Sequence, residues 1–112
     1  MRKNGKRKQG GKEMQIDKLR GEQLDQLFDA ILSLDTREEC YQFFDDIATM
    51  SEIQSLSQRL QVAKMLTEGK TYSAIEQETK ASTATISRVR RCINYGSDGY
   101  NLVLERLDVK EN

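Results

Sequence analysis

The chain has 112 residues, with 18 basic and 18 acidic side chains and no His, Trp or Pro. This length suits one domain and leaves little room for two. Without His, both the usual general base near neutral pH and the commonest metal ligand are absent. No apolar run approaches the roughly eighteen residues of a membrane span, and no signal-type apolar stretch follows the basic start. The sequence therefore predicts a soluble cytoplasmic protein.

The first segment, residues 1–13, carries six basic residues and one acid. Subtracting these from the totals leaves 12 basic and 17 acidic residues in 14–112, a net charge of −5. The segment has almost no apolar residues, so we expect it to be disordered. It is either a basic arm that attracts DNA or a stretch upstream of the native start. The second alternative rests on the Gln-Gly-Gly that precedes Met14. Purine-rich codons for these three residues would resemble a ribosome-binding site placed for initiation at Met14.

Residues 14–112 are predicted to form a single all-α domain, because their apolar residues recur at spacings of three and four. A first helix is predicted at about 18–34 and a second at about 37–48, where Thr36 opens a capping box. A third begins at a capping box formed by Ser51 and Gln54 and ends before Gly69, the expected left-handed residue.

The first two predicted helices carry wide apolar stripes. Because a small all-α chain buries only a modest fraction of its surface by itself, these stripes predict burial against a second subunit. Ordinary packing within one chain would produce the same periodicity. Cys40 and Cys92 lie on apolar stripes without a metal-ligand spacing, so we expect buried free thiols in a reducing compartment and no metal site.

Two short helices joined by about three residues are predicted at about 71–95, the layout of a helix-turn-helix. The first begins at Thr71 or Tyr72, and Ser82 caps the second. The residues predicted to face inward between them are Ala74, Ile75, Ala81, Ile86 and Val89. A last amphipathic turn or two at 99–107 completes six helices.

The outward face of the second helix combines short hydroxyl side chains with arginines. Short side chains let a helix enter the major groove of double-stranded DNA, and arginines contact guanine or phosphates. Capping and the helix dipole would each explain one of these features but not their combination. The predicted groove residues are Thr83, Ala84, Thr85 and Ser87, the predicted backbone contacts are Arg90 and Arg91, and Ser82 and Arg88 complete the predicted DNA-binding set.

The stretch ASTATISRVRRCINYG, residues 81–96, resembles the recognition helix of the tryptophan repressor family, whose Ala-Thr-Ile-(Ser/Thr)-Arg core falls here at 84–88. The resemblance extends over about 36–107 and is closest to bacterial tryptophan-repressor-related proteins of unsettled role. It implies an all-helical, intertwined homodimer whose two helix-turn-helix units bind a two-fold-related operator.

The resemblance also implies a ligand pocket. Arg88 matches one arginine that holds tryptophan in the family, and Arg59 and Thr49 match a second arginine and the partner subunit's threonine if one residue of length difference is allowed. Val89 stands where the family has a glycine against which the indole lies flat. Its branched side chain would occupy that space, so we expect no tryptophan binding and no cofactor, with another small effector left open. Arg59 could equally pair with an acidic neighbour.

The sequence thus predicts a dimeric DNA-binding transcription regulator, most simply a repressor that occupies an operator. Catalysis is not expected, since a recombinase or transposase would need a separate catalytic domain. The alternative is a non-catalytic protein- or RNA-interaction module on the same helix-turn-helix scaffold, which the acidic body favours.

Overall fold

The computed structural model describes residues 13–111. Within them six α-helices follow a short 3-10 helix, and no strand occurs, which confirms the predicted all-α, six-helix class. The predictions for the basic tail fall, apart from Glu13, outside the described residues. The elements are a 3-10 helix Gln15–Leu19, α1 Glu22–Leu32, α2 Arg37–Ile47, α3 Met50–Thr67, α4 Tyr72–Thr79, α5 Thr83–Tyr95 and α6 Gly99–Glu111. Within the described residues, none of these helices is long and apolar enough to cross a membrane.

Two of the predicted helix lengths are wrong. The first helix is shorter than the predicted 18–34, because the chain is extended at Gly21 (φ 164°) and the residues before it form the separate 3-10 helix. The last helix is longer than the predicted turn or two and has 13 residues. The helix continues from 107 to 111, past the apolar residues on which the prediction was based.

The start of α3 also differs from the prediction, whereas its end does not. Thr49, not Ser51, is the N-cap: its hydroxyl accepts from the Glu52 N–H at 3.1 Å, and the Glu52 carboxylate accepts from the Thr49 N–H at 2.9 Å. Both sites fit the capping-box pattern, and the helix uses the earlier one. At the other end Gly69 is left-handed (φ 81°), as predicted. Its N–H donates to the Leu66 carbonyl at 3.1 Å.

The described chain divides into two compact units between Ala48 and Thr49. The N-terminal unit contains the 3-10 helix, α1 and α2, and none of its described side chains is buried. The rings of Phe43 and Phe44 pack edge to face with centroids 5.6 Å apart. The large apolar side chains that this unit exposes include Phe28, Leu32, Tyr41 and Ile47. The prediction of a single domain over 14–112 stays a prediction.

The C-terminal unit, from Thr49 onward, has a buried apolar core. The core residues are Val62, Ala63, Met65 and Leu66 of α3, Ile75 of α4, Ala81 of the turn, and Ile86 and Val89 of α5. Four of the five residues predicted to face inward are therefore buried, and Ala74 is half-buried. Three helices converge on this core, and its burial sets the direction in which α5 presents its other face.

The prediction of buried thiols is wrong, since Cys40 and Cys92 are both exposed. Cys92 precedes Ile93, which packs against the core. Adjacent helical residues are about 100° apart around the axis, so the thiol points away from the core. Cys40 belongs to the unit that buries none of its described side chains.

Candidate nucleic-acid interface

The connection between α4 and α5 is three residues long, 80–82. Lys80 takes the left-handed conformation (φ 65°), and its N–H donates to the Glu76 carbonyl at 2.9 Å, which ends α4. Ser82 opens α5 as predicted, because its hydroxyl accepts from the Thr85 N–H at 3.1 Å. A tight turn followed by a capped helix sets the angle between α4 and α5.

Side-chain hydrogen bonds stabilise this turn and join it to α3. The Thr79 hydroxyl donates to the Ile75 carbonyl at 2.7 Å and accepts from the Ala81 N–H at 3.1 Å. The Gln58 side-chain amide donates to the Thr79 carbonyl at 3.0 Å. The sequence did not indicate a role for Gln58, because its partner lies 21 residues away along the chain.

The two faces of α5 have different environments. Ile86 and Val89, three residues apart, are 0% and 1% exposed on the inner side. Seven of the eight predicted DNA-binding residues are exposed, and Thr85 is half-buried. All eight lie on this helix and its cap, so the structure brings the predicted set together. The exposed ones are Ser82, Thr83, Ala84, Ser87, Arg88, Arg90 and Arg91.

The arginines of this face have no close acidic partner in the part of the chain that the structure describes. Within the described residues, no carboxylate lies within 4.0 Å of the guanidinium of Arg88, Arg90 or Arg91. The guanidinium carbon of Arg90 lies 5.7 Å from the centroid of the Tyr72 ring. This distance is within the range of a cation–π contact, which restricts the guanidinium without neutralising it. The sequence pointed to Tyr72 only as a possible helix start.

One acidic side chain reaches the start of α5. The Thr83 hydroxyl donates a hydrogen bond to the Glu76 carboxylate. Thr83 is the first residue of α5 and Glu76 lies on α4, so the bond links the two helices at the exposed end of their angle. Sequence patterns gave no sign of this pair, because it depends on the angle that the turn sets.

The three residues of the implied ligand pocket lie on two helices. Thr49 caps α3, Arg59 is half-buried on the same helix, and Arg88 is exposed on α5. In the part of the chain that the structure describes, no carboxylate lies within 4.0 Å of the Arg59 guanidinium. Val89 packs into the core with its side chain 1% exposed. The absence of tryptophan binding stays a prediction.

Metal-ligating side chains do not converge on this surface. No group of three or more His, Cys, Asp or Glu residues within the described range could hold a metal ion. The exposed polar side chains of the predicted DNA-binding set carry hydroxyl and guanidinium groups. These groups bind phosphates and base edges.

Comparison with known proteins agrees with this arrangement. The model of the Trp repressor protein family matches residues 22–108. The uncharacterized protein YerC of Bacillus subtilis (strain 168) is 66% identical over 98 residues, which are 88% of this chain and 94% of YerC.

Two solved structures are similar in fold and sequence. The crystal structure of a candidate Trp repressor from Staphylococcus aureus has a TM-score of 0.84 and 66% identity over 86% of this chain and 96% of that one. The crystal structure of a TrpR-like protein from Eubacterium eligens ATCC 27750 has a TM-score of 0.80 and 58% identity over 82% of this chain and 95% of that one. The chain belongs to the Trp repressor family.

Proposed function

We propose that this chain is a sequence-specific DNA-binding transcription regulator in which α4 and α5 form a helix-turn-helix. The observation that carries the proposal is the outer face of α5, where short hydroxyl side chains precede three arginines. Among the described residues no carboxylate lies within 4.0 Å of these arginines. Membership of a family of regulators supports the same function. The start of α5 enters the major groove, and Arg90 and Arg91 bind phosphates.

The regulator works as a homodimeric repressor. The apolar side chains exposed by the N-terminal unit, among them Phe28 and Leu32, support a second copy of the chain as their cover. In a two-fold dimer the two α5 helices would bind half-sites about 34–36 Å apart, one turn of DNA. By occupying such an operator, the protein represses transcription without catalysing a reaction. This function requires the protein to be in the cytoplasm with the DNA.

Selection of bound duplexes from a random library by the purified chain tests this function. We expect a palindromic consensus with half-sites about 10 base pairs apart. Arg91→Ala should weaken binding to all sequences alike. Because each dimer loses two arginines, the magnitude of the slope of log affinity against log salt should fall by about two. Arg37→Ala, which removes the same charge from α2, is the matched control and should leave the slope unchanged. A library from which no sequence is enriched would contradict the proposal.

The proposed regulator does not use tryptophan as its effector. Val89 fills buried space beside Arg88, and making room for an indole would require backbone movement. Calorimetry should show no saturable binding of tryptophan, and saturable binding at metabolite-like concentrations would overturn this part. Repeating the library selection with each amino acid would reveal another effector as a change in the enriched sites.

A second candidate is a non-catalytic module that binds protein or RNA through the same scaffold. The net charge of −5 over residues 14–112 favours it, because an acidic body repels nucleic acid away from any local basic patch. The two functions differ in their DNA binding, since the module would bind DNA weakly and without preference for any sequence.

A further inference from the structure

The hydrogen bond between Thr83 and Glu76 has a direction fixed by chemistry. A hydroxyl group has one proton to donate and two lone pairs that accept, whereas a carboxylate only accepts. The Thr83 hydroxyl must therefore donate its hydrogen bond to the Glu76 carboxylate. Its single proton is used in this bond, and the exposed oxygen can then only accept hydrogen bonds.

The other paired hydroxyl of the predicted groove set is not restricted in this way. Thr85 Oγ1 lies 3.1 Å from Ser82 Oγ, so its partner is a second hydroxyl. Two hydroxyl groups can exchange the roles of donor and acceptor. The Thr85 hydroxyl can therefore either donate a hydrogen bond to a base or accept one from it. Of the groove set, Thr83 alone is paired with a carboxylate among the described residues.

We propose that Glu76 is a specificity-determining residue, which acts through Thr83 to select adenine or cytosine over guanine or thymine at one position of each half-site. In the major groove the adenine N6 and cytosine N4 amino groups donate, whereas guanine O6 and N7 and thymine O4 accept. An oxygen that only accepts binds the amino groups and not the keto oxygens. This inference rests on the proposed function, because it needs the start of α5 to lie in the major groove.

The proposal predicts a recognisable pattern in the operator. Each base pair carries one amino group in the major groove, on adenine in A·T and on cytosine in G·C. Thr83 would therefore not distinguish A·T from G·C. It would select the orientation of the base pair, that is, the strand on which the adenine or cytosine lies. A carboxylate that contacted the DNA directly would instead favour cytosine alone. The expected pattern is adenine or cytosine on one strand at the position that Thr83 contacts.

Library selection with the full chain and three variants tests the role of Glu76. We expect the parent to prefer amino over keto bases by about threefold to tenfold, the range of one neutral hydrogen bond. In Glu76→Gln the new amide N–H can donate to the Thr83 oxygen, which leaves the Thr83 hydroxyl proton free to be donated to a keto oxygen. The preference for amino over keto bases should therefore fall toward equality. Thr83→Val removes the oxygen with little change in shape, and the same position should lose its preference.

Glu78→Gln is the matched control, because it removes an equal charge from an exposed carboxylate of α4 that has no hydrogen-bond partner among the described residues. It should keep the amino preference, although both glutamine variants should bind all sequences more tightly through reduced repulsion of phosphates. Thermal melting followed by circular dichroism establishes that each variant is folded.

Three outcomes would overturn the role of Glu76. The parent could prefer keto bases at the position that Thr83→Val alters. Glu76→Gln could keep a preference that Thr83→Val loses. Alternatively, Glu76→Gln could change a position that Thr83→Val leaves alone, which would mean that Glu76 contacts a base itself. If the parent enriches no sequence at all, the proposed function fails and this inference fails with it.

Discussion

The two units of the chain use similar apolar patterns with different results. In the C-terminal unit, α3, α4 and α5 converge, and eight of the described apolar residues are buried there. In the N-terminal unit, α1 and α2 carry apolar residues at the same three-to-four spacing, yet none of the described side chains there is buried. Two short helices have too few neighbours to enclose a side chain. Periodicity therefore predicts a helix equally well in both units, but only convergence of several helices produces a core.

The largest expected effect comes from the centre of the C-terminal core. Ile75 is 0% exposed, and Ile75→Ala should lower the free energy of unfolding by about 2–5 kcal/mol through lost burial and a cavity. Ile47→Ala removes the same atoms in the N-terminal unit from a side chain that is 51% exposed within one chain. At a protein concentration low enough for the chain to be monomeric, we expect its cost to be about half as large or less, measured by urea denaturation. A cost that rises toward that of Ile75→Ala at higher protein concentration would mean that the second copy covers Ile47 as well.

The next effect tests what covers the N-terminal unit. Leu32 is 76% exposed, so Leu32→Ser disturbs little of the packing within one chain. If a second copy covers it, the loss of about 1.5–3 kcal/mol of apolar burial should raise the dissociation constant of the dimer by at least about tenfold. Sedimentation velocity over a dilution series measures this change. Gln26→Ser on the polar side of α1 is the control, and an equal effect of both variants would argue against a second copy on this surface.

A smaller effect is expected where the C-terminal core supports an outward-facing side chain. The Tyr72 ring faces the Arg90 guanidinium at 5.7 Å, and an exposed cation–π contact contributes about 0.5–1 kcal/mol. If Arg90 binds a phosphate, Tyr72→Leu should weaken DNA binding about twofold to fivefold, whereas Tyr72→Phe keeps the ring face and should bind like the parent. Titration at constant salt measures the difference. Equal losses in both variants would point to the phenol hydroxyl rather than the ring.

The sequence predicted the fold class and the inward face of the helix pair because both follow from local apolar spacing. Ile75 and Ile86 were expected to meet, and both are fully buried. Ser82 was expected to cap α5, and its hydroxyl bonds the Thr85 N–H. These features need only neighbouring residues, so they can be read from the chain alone.

The features that the sequence did not indicate depend on contacts between helices. Gln58 meets the turn from α3, and Glu76 meets Thr83 across the angle between α4 and α5. Polar side chains of this kind occur at any exposed helical position, so their types and spacing carry no signal. Cys92 is exposed although its neighbour on α5 packs against the core, because adjacent helical residues point about 100° apart. The spacing of apolar residues in the sequence does not determine the edge of the buried face to within one residue.

The smallest expected effect lies in the turn that joins α4 to α5. Lys80 is left-handed, a conformation that costs a residue with a Cβ atom about 1–2 kcal/mol and costs glycine almost nothing. Lys80→Gly should therefore raise the free energy of unfolding by a few tenths of a kcal/mol, because the greater freedom of glycine in the unfolded chain offsets most of the gain. Lys80→Ala removes the same charge but keeps the Cβ atom, so it should give no increase. Urea denaturation of both variants separates conformation from charge. If Lys80→Gly is no more stable than Lys80→Ala, the left-handed angle at this position carries no cost that glycine relieves.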